Sequence, residues 1–157
     1  MIKEFVTIYN TLVNLSRNKS LFSIFTDKDT FSDRLLILLF HFAFFLRRYK
    51  NNTDKEYLQN FFDYFFRQIE LSIREIGYGD ASINKKMKDY INVFYSILDK
   101  INDWDKLENE KKGEILGFYY KLKDNHLEIV NYFNNFEIYL SKTTLKSFTK
   151  SVINHKF

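Results

Sequence analysis

The most apolar stretch of the sequence is residues 34–48, which read RLLILLFHFAFFLRR. Its central twelve residues, 35–46, contain one polar side chain, His41, and arginines close the stretch at both ends. An α-helix of that length rises about 18 Å, whereas the hydrocarbon core of a bilayer is about 30 Å thick. The stretch is therefore too short to span a membrane. It predicts a central, buried helix, with a helix lying in a membrane interface as the alternative.

The composition of the whole chain favours an all-α fold. The 157 residues include no proline and only four glycines, whereas β-sandwiches and barrels need turn residues about every 8–12 positions. Apolar side chains recur at helical spacing, as at Phe5, Ile8, Leu12 and Leu15. We predict a single domain, residues 1–157, built as a helical bundle of about six to seven helices. The predicted helices are 3–18, a second from start signals in 26–32 to 50, a third from a cap at 53 or 54 to 76, then 82–101, 108–123, 126–140 and 142–152, with an apolar turn at 22–25.

Several classes of function are excluded by composition. Without any cysteine, the chain has no disulfide scaffold, no thiol nucleophile and no cysteine-ligated metal. His41 has no histidine or carboxylate four residues away on its helix, so we expect no metal site. With no paired histidines and no glycine-rich loop after a strand, we also expect no cofactor and no enzyme activity. The net charge of +4 is too mild for a dedicated DNA-binding protein, and we expect no DNA partner.

The amino terminus shows no recognisable targeting signal. Residues 1–5 read MIKEF, without the basic segment and apolar stretch of a signal peptide and without the early arginines of a mitochondrial transit peptide. We therefore expect neither export nor import into mitochondria.

Three polar residues follow one line of the predicted central helix. Arg34, His41 and Arg48 are spaced by seven, and each step of seven drifts only about 20° around a helix, so the line is about 21 Å long. In one interpretation the arginines reach water at the helix ends and His41 is a hydrogen-bonded core residue. In the other, the line is the wall of a groove that has a basic residue at each end and an aromatic floor. The floor residues would be Phe42, Phe44 and Phe45.

The third predicted helix carries charges of alternating sign. Asp63, Arg67, Glu70 and Arg74 follow one another at spacings of four, three and four, which places them on one face. Such stripes are commonly solvated, but aromatic residues on the other faces indicate that part of this one is held against another helix. Five of the six arginines lie within the 41 residues 34–74, which indicates positions that need the planar guanidinium fork.

The clearest break in the chain is the GYGD turn that begins at Gly77. Gly77 suits the left-handed position after a helix, and Asp80 suits the N-cap of the next helix. Glu75 is unfavourably placed near a helix C-terminus, so we expect it to have a cationic partner, either Arg34 or Lys85. The two glycines follow a helix and a third glycine is missing, so a dinucleotide- or phosphate-binding loop is a poor match.

Two groups of lysines could form a basic surface. The first group opens the fourth predicted helix, and the second is spaced by four along the last one, where no acidic residue follows Glu137. These side chains are either simply solvated or contact anionic lipid or ribosomal RNA. The lysines are Lys85, Lys86, Lys88, Lys142, Lys146 and Lys150.

The motifs in the first two thirds of the chain resemble those of the ubiquinol–cytochrome c chaperone family. The chain has Arg-Leu at 34–35, His41, Arg-Arg at 47–48, IREIGYGDASINKKMK at 73–88 and Phe-Tyr at 94–95. The family's pattern has Leu-Arg-Glu-Met-Gly-Val-Gly-Asp, a basic helix start and Phe-Tyr a short way beyond it. The resemblance covers about residues 5–100, and we expect residues 101–157 to form divergent C-terminal helices.

The resemblance implies an all-helical, non-enzymatic assembly factor for ubiquinol–cytochrome c reductase. It would bind newly made cytochrome b, or another membrane-protein client, and an apolar client suits the aromatic groove with basic rims. In mitochondria such proteins act with a small partner near the ribosomal exit. Because no transit peptide is recognised, we expect a bacterial version that is cytoplasmic and peripheral to the inner membrane, not one of the mitochondrial matrix. A ribosome- or RNA-binding helical module is the alternative. The expected client- or partner-binding residues are Arg34, His41, Arg48, Arg67, Glu70, Arg74, Glu75, Gly77, Tyr78, Gly79 and Asp80.

Overall fold

The structure, a computed structural model, describes residues 1–22, 30–120, 126–153 and 157. In these residues the chain is helical and no strand is formed, so the predicted all-α bundle is confirmed. Residues 23–25 of the turn predicted at 22–25, and most of the start signals predicted in 26–32, lie outside the described residues. The helices are α1 (Ile2–Ser16), α2 (Lys19–Phe22), α3 (Phe31–Tyr49), α4 (Lys55–Ile76), α5 (Asp80–Lys100), a short 3-10 helix (Trp104–Lys106), α6 (Asn109–Tyr119), α7 (His126–Ser141) and α8 (Leu145–Lys150).

The central helix α3 begins at a capping box. The Asp33 amide donates a hydrogen bond to the Thr30 hydroxyl (3.2 Å), and the Thr30 amide donates one to the Asp33 carboxylate (3.3 Å), which satisfies two amides that the helix cannot bond itself. Helix α3 then packs against α1, α5 and α7, so it is buried on several sides, as its sequence predicts. Among the described residues, no helix combines the length and the apolarity that crossing a bilayer requires.

Helices α4 and α5 form a hairpin around the glycine turn. Gly77 ends α4 with a φ of 103° and a ψ of 17°, and its amide donates to the Arg74 carbonyl at 3.0 Å. The predicted left-handed glycine is therefore confirmed. The N-cap of α5 is Gly79, and the prediction of Asp80 in that position is wrong. Asp80 is the first helical residue, and its carboxylate accepts a hydrogen bond from Arg74 at 2.7 Å.

The C-terminal helices cover α3 and α1. Helix α7 packs against α3 and α6, and α8 packs against α1. The predicted connector at 103–105 contains a 3-10 helix, because Trp104 turns inward, is 1% exposed, and donates its indole N–H to the Asn134 side-chain oxygen at 3.0 Å. Helix α6 ends at Tyr119, four residues before the predicted end, and residues 121–123 of that prediction are outside the described part.

The aromatic surplus of the sequence fills the interior. The ring of Phe42 in α3 lies 4.0 Å from that of Phe65 in α4 and 4.9 Å from that of Phe94 in α5, measured between centroids. On the other side of α3, Phe44 stacks on Phe133 of α7 at 5.1 Å. Such ring pairs contribute about 0.5–1.5 kcal/mol each beyond their buried area. The aromatic side chains of α3 thus bind both the hairpin and α7 to the central helix.

Candidate functional site

His41 is a fully buried residue that links α3 to α7. Its Nδ1 lies 2.7 Å from the Ile37 carbonyl oxygen and its Nε2 lies 2.6 Å from the Tyr132 hydroxyl. A carbonyl only accepts, so Nδ1 carries the proton, and Nε2 of the neutral ring accepts from Tyr132. Burial lowers the pKa of His41 to about 4. The cause is loss of hydration, not the two arginines on the same line.

The line of Arg34, His41 and Arg48 does not form a groove wall. Helix α7 covers its centre and one end, since a guanidinium nitrogen of Arg48 lies 3.4 Å from the Ser141 carbonyl oxygen of α7. Arg34 is exposed and lies beside a hollow between α1, α3 and α4. The predicted aromatic floor of this groove is also wrong, because the side chains assigned to it are fully buried in the core. These buried floor residues are Phe42, Phe44 and Phe45.

An ion pair that the sequence analysis missed lies beside the line. The Arg47 guanidinium contacts the Glu137 carboxylate of α7 at 3.2 Å and the Asp105 carboxylate at 2.9 Å, and its Nε donates to the Asn102 carbonyl. The Arg47 side chain is 12% exposed and that of Glu137 7%. Burial raises the pKa of Glu137, and Arg47 opposes that shift. Glu137 is the last acidic residue of the chain, a signal that could have pointed to it.

Four of the predicted residues meet in a row of ion pairs along α4 and the start of α5, which we call the charge ladder. Glu70 pairs with Arg67 and, at 3.5 Å, with Arg74, which in turn pairs with Asp80 at 2.7 Å. The hydrogen bond with Asp80 raises the pKa of Arg74. The ladder crosses the glycine turn and ties α5 to α4. It is exposed, so its pairs are expected to stabilise the fold only weakly.

The remaining residues of the glycine turn point into solvent. Tyr78 is 43% exposed, and the Lys86 ammonium lies 4.5 Å from its ring centroid, a cation–π contact. Glu75 is exposed and makes no ion pair within the described residues, so the predicted pairing with Arg34 or Lys85 is wrong. Helix α4 simply leaves Glu75 in water, where the unfavourable helix dipole is screened.

The second lysine group does not share one helix. Helix α8 begins at Leu145, so Lys142 precedes it, and only Lys146 and Lys150 lie within it. All three are exposed, as are Lys85 and Lys88 of α5. Lys146 and Lys150 therefore share one helix face, whereas Lys142 does not lie on it, because it belongs to the α7–α8 turn.

An open hollow of about 530 Å³, which we call the aromatic hollow, lies where α3 ends and α4 begins. The side of α5 closes it. Tyr95 is 54% exposed and stacks on Phe62 at a centroid distance of 5.9 Å. In the sequence, Tyr95 stands out only as part of the Phe-Tyr motif, and no local pattern indicates that it belongs to a site. The hollow is lined by Leu46, Lys50, Asn51, Lys55, Leu58, Gln59, Phe62 and Tyr95.

These observations define an all-α protein whose exposed chemistry lies in surfaces suited to docking: the aromatic hollow, the charge ladder and the exposed lysines. Within the described residues, no three histidine or carboxylate side chains converge as a metal site requires.

The sequence model of a family described as Ubiquinol-cytochrome C chaperone matches residues 23–103, and the chain belongs to that family. The match covers just over half of the 157 residues. It includes α3, α4 and α5, and with them the aromatic hollow and the charge ladder. Membership indicates a chaperone or assembly role for the chain. No curated protein and no solved structure matches the chain.

Proposed function

We propose that this protein holds newly made cytochrome b while ubiquinol–cytochrome c reductase is assembled, and that the client lies in the aromatic hollow. A membrane segment outside the bilayer exposes apolar side chains to water, and covering them is favourable. The observation that carries the proposal is Tyr95, an exposed aromatic ring stacked on Phe62 in a chain whose other large aromatic side chains are mostly buried. Rigid tyrosines of this kind are frequent energetic centres of protein interfaces.

A second contact is proposed at the glycine turn. The charge ladder fixes α5 against α4, and it leaves Tyr78 and the carboxylate of Glu75 facing solvent. Gly77 and Gly79 set the tight geometry that presents them. Arg67 remains 58% exposed, so it can reach a partner carboxylate. His41 and Arg48 act as positioning residues, because they hold α7 on α3.

We propose that the protein acts at the periphery of a bacterial inner membrane, where the exposed lysines of α5 and α8 face the anionic membrane surface or the ribosome. The direct test puts a photo-crosslinking amino acid at Tyr95. We expect it to capture newly made cytochrome b in cells. The matched control is Leu71, which is exposed but lies about half a turn around α4 from Phe62. Equal capture from both positions, or an unchanged level of assembled reductase after deletion of the gene, would contradict the proposal.

A ribosome- or RNA-binding module is the second candidate function. The observation that favours it is the set of exposed lysines on α5, the α7–α8 turn and α8. Binding that neutralises several phosphates weakens steeply with salt, with a slope of about 0.9 per phosphate for duplex nucleic acid. A slope near zero for ribosome binding would exclude this candidate.

A further inference from the structure

The two ends of the aromatic hollow differ in chemistry, one being positively charged and the other apolar. Its floor consists of apolar side chains, Leu46 from α3, Leu58 and Phe62 from α4, and Tyr95 from α5. Its two cations lie together at one end, because Lys50 caps the end of α3 and Lys55 is the first residue of α4. An occupant therefore meets positive charge at the α3–α4 turn and apolar surface further along.

The fold itself does not account for both cations. Lys50 lies at the C-terminus of α3, where a positive charge stabilises the helix dipole, but Lys55 lies at the N-terminus of α4, where it opposes the dipole. Both are exposed, and neither forms an ion pair with any residue in the described part of the chain. Asp54 and Glu56, on either side of Lys55, supply the negative charge that the dipole favours at this end of α4, but neither of them lines the hollow, whereas Lys50 and Lys55 do.

The carboxylates nearest in sequence are engaged or turned away. Asp54 accepts a hydrogen bond from the Tyr57 amide at 3.2 Å as the N-cap of α4, and Asp63 accepts one from the Gln59 side chain at 2.9 Å. Glu56 lies about 100° around α4 from Lys55 and does not line the hollow. The described lining of the hollow thus carries two positive charges and no carboxylate, which an occupant with a carboxylate would complement.

We infer that the aromatic hollow selects an apolar helical segment of the client that carries carboxylates at one end, and that Lys50 and Lys55 hold this end at the α3–α4 turn. The inference rests on the proposed function and specifies which part of the client is bound and in which direction. The apolar floor supplies affinity, whereas the two lysines supply selection between segments of opposite charge.

The test uses two labelled helical peptides with the same apolar sequence, one ending in two glutamates and the other in two lysines, and measures fluorescence anisotropy with the full-length protein. We expect the glutamate peptide to bind more tightly. The double change Lys50→Glu with Lys55→Glu should weaken it about tenfold and reverse the preference. Tyr95→Ala should weaken both peptides alike. The matched control, Lys3→Glu, alters an exposed lysine of α1 away from the hollow and should change neither.

Other outcomes overturn the inference. Equal binding of the two peptides by the wild-type protein would show that Lys50 and Lys55 do not select between them. An equal loss of affinity in Lys3→Glu and in the double variant would show the same. A second experiment uses vesicles of anionic lipid that contain no client protein. If the wild-type protein binds these vesicles and the Lys50→Glu, Lys55→Glu variant does not, the lysines bind a membrane surface and not a client segment. The proposed function fails separately, if deletion of the gene leaves assembled reductase unchanged. If deletion of the gene lowers the level of assembled reductase, and expression of the Lys50→Glu, Lys55→Glu variant restores that level fully, the proposed function stands and this inference fails.

Discussion

The hydroxyl of Tyr132 in α7 donates a hydrogen bond of 2.6 Å to Nε2 of His41 in α3, across 91 positions of sequence. The bond is buried, and the second ring nitrogen of His41 bonds the carbonyl of Ile37 one turn earlier. Both polar atoms of the imidazole are therefore satisfied inside the core. Helix α7 is attached to the central helix through a polar contact surrounded by aromatic rings.

Removing the Tyr132 hydroxyl should destabilise the protein. Tyr132→Phe keeps the ring but leaves Nε2 of His41 buried without a donor, which costs about 1–3 kcal/mol. Urea unfolding measures the change. Tyr95→Phe is the matched control, because that ring is exposed, and it should have almost no effect. Equal stability of the two variants would mean that the buried bond contributes nothing.

Stability should fall as the pH is lowered from about 6.5 towards 4. The unfolded chain protonates His41 with a pKa of about 6.5, whereas burial lowers the folded pKa to about 4. The unfolded state thus binds more protons in this window, and stability rises with pH across it, by about 3 kcal/mol in total. Unfolding curves between pH 4 and 7 measure the slope. His41→Gln should lose most of it, and an NMR titration of His41 at 6.5 or above would contradict the prediction.

Cutting one side of the Arg47–Glu137 pair should be more damaging than replacing both sides. Arg47→Met leaves the buried Glu137 carboxylate with the more distant and more exposed Arg48, 3.7 Å away, as its remaining partner, at a cost of up to about 3 kcal/mol. The loss should grow as the pH rises, because a poorly paired buried carboxylate is tolerated best when protonated. Adding Glu137→Leu to Arg47→Met should recover most of the stability. Arg67→Ala, which breaks an exposed pair, should cost less than about 1 kcal/mol. A similar loss for Arg47→Met and Arg67→Ala would show that burial adds nothing.

Alanine should be tolerated at one glycine of the turn but not at the other. Gly77 has a φ of +103° and nothing within 4 Å of an added Cβ, so the cost of Gly77→Ala is backbone strain alone, about 1–2 kcal/mol. Gly79 has a φ of −73° and is equally open, so Gly79→Ala should change the free energy of unfolding by less than about 0.5 kcal/mol, as a stiffer unfolded chain offsets the poorer N-cap. Denaturant unfolding of both variants decides the matter. A stabilised Gly77→Ala would mean that α4 continues through the turn.

Local features of the chain were predictable because neighbouring residues determine them. The apolar stretch 35–46, interrupted only by His41, requires a buried helix, and Gly77 directly after the last apolar position of α4 requires a left-handed turn. The alternating charges of the charge ladder also follow from helical spacing alone, except that Asp80 joined it instead of capping α5. The motif at residues 73–88 was sufficient for the family, which the match to residues 23–103 confirms.

The candidate site depends on which helices pack against one another, and local sequence patterns do not show this. Spacing shows that Arg34, His41 and Arg48 share a line, but not that Tyr132 and Ser141, about ninety residues later, cover most of it. For the same reason the aromatic floor became core, and the aromatic hollow formed from Phe62 and Tyr95 of a different helix pair.

The sequence by itself determined the helices, the glycine turn and the family, because hydrogen bonds within a helix and the steric limits on φ act between residues close along the chain. Only the tertiary structure decided that His41 is a neutral core residue and that Tyr95 stays exposed above the hollow. Helical periodicity says which face of a helix is apolar. Which distant helix covers that face depends on the packing of all the side chains together, and the burial that sets a pKa or leaves a ring exposed is fixed only then.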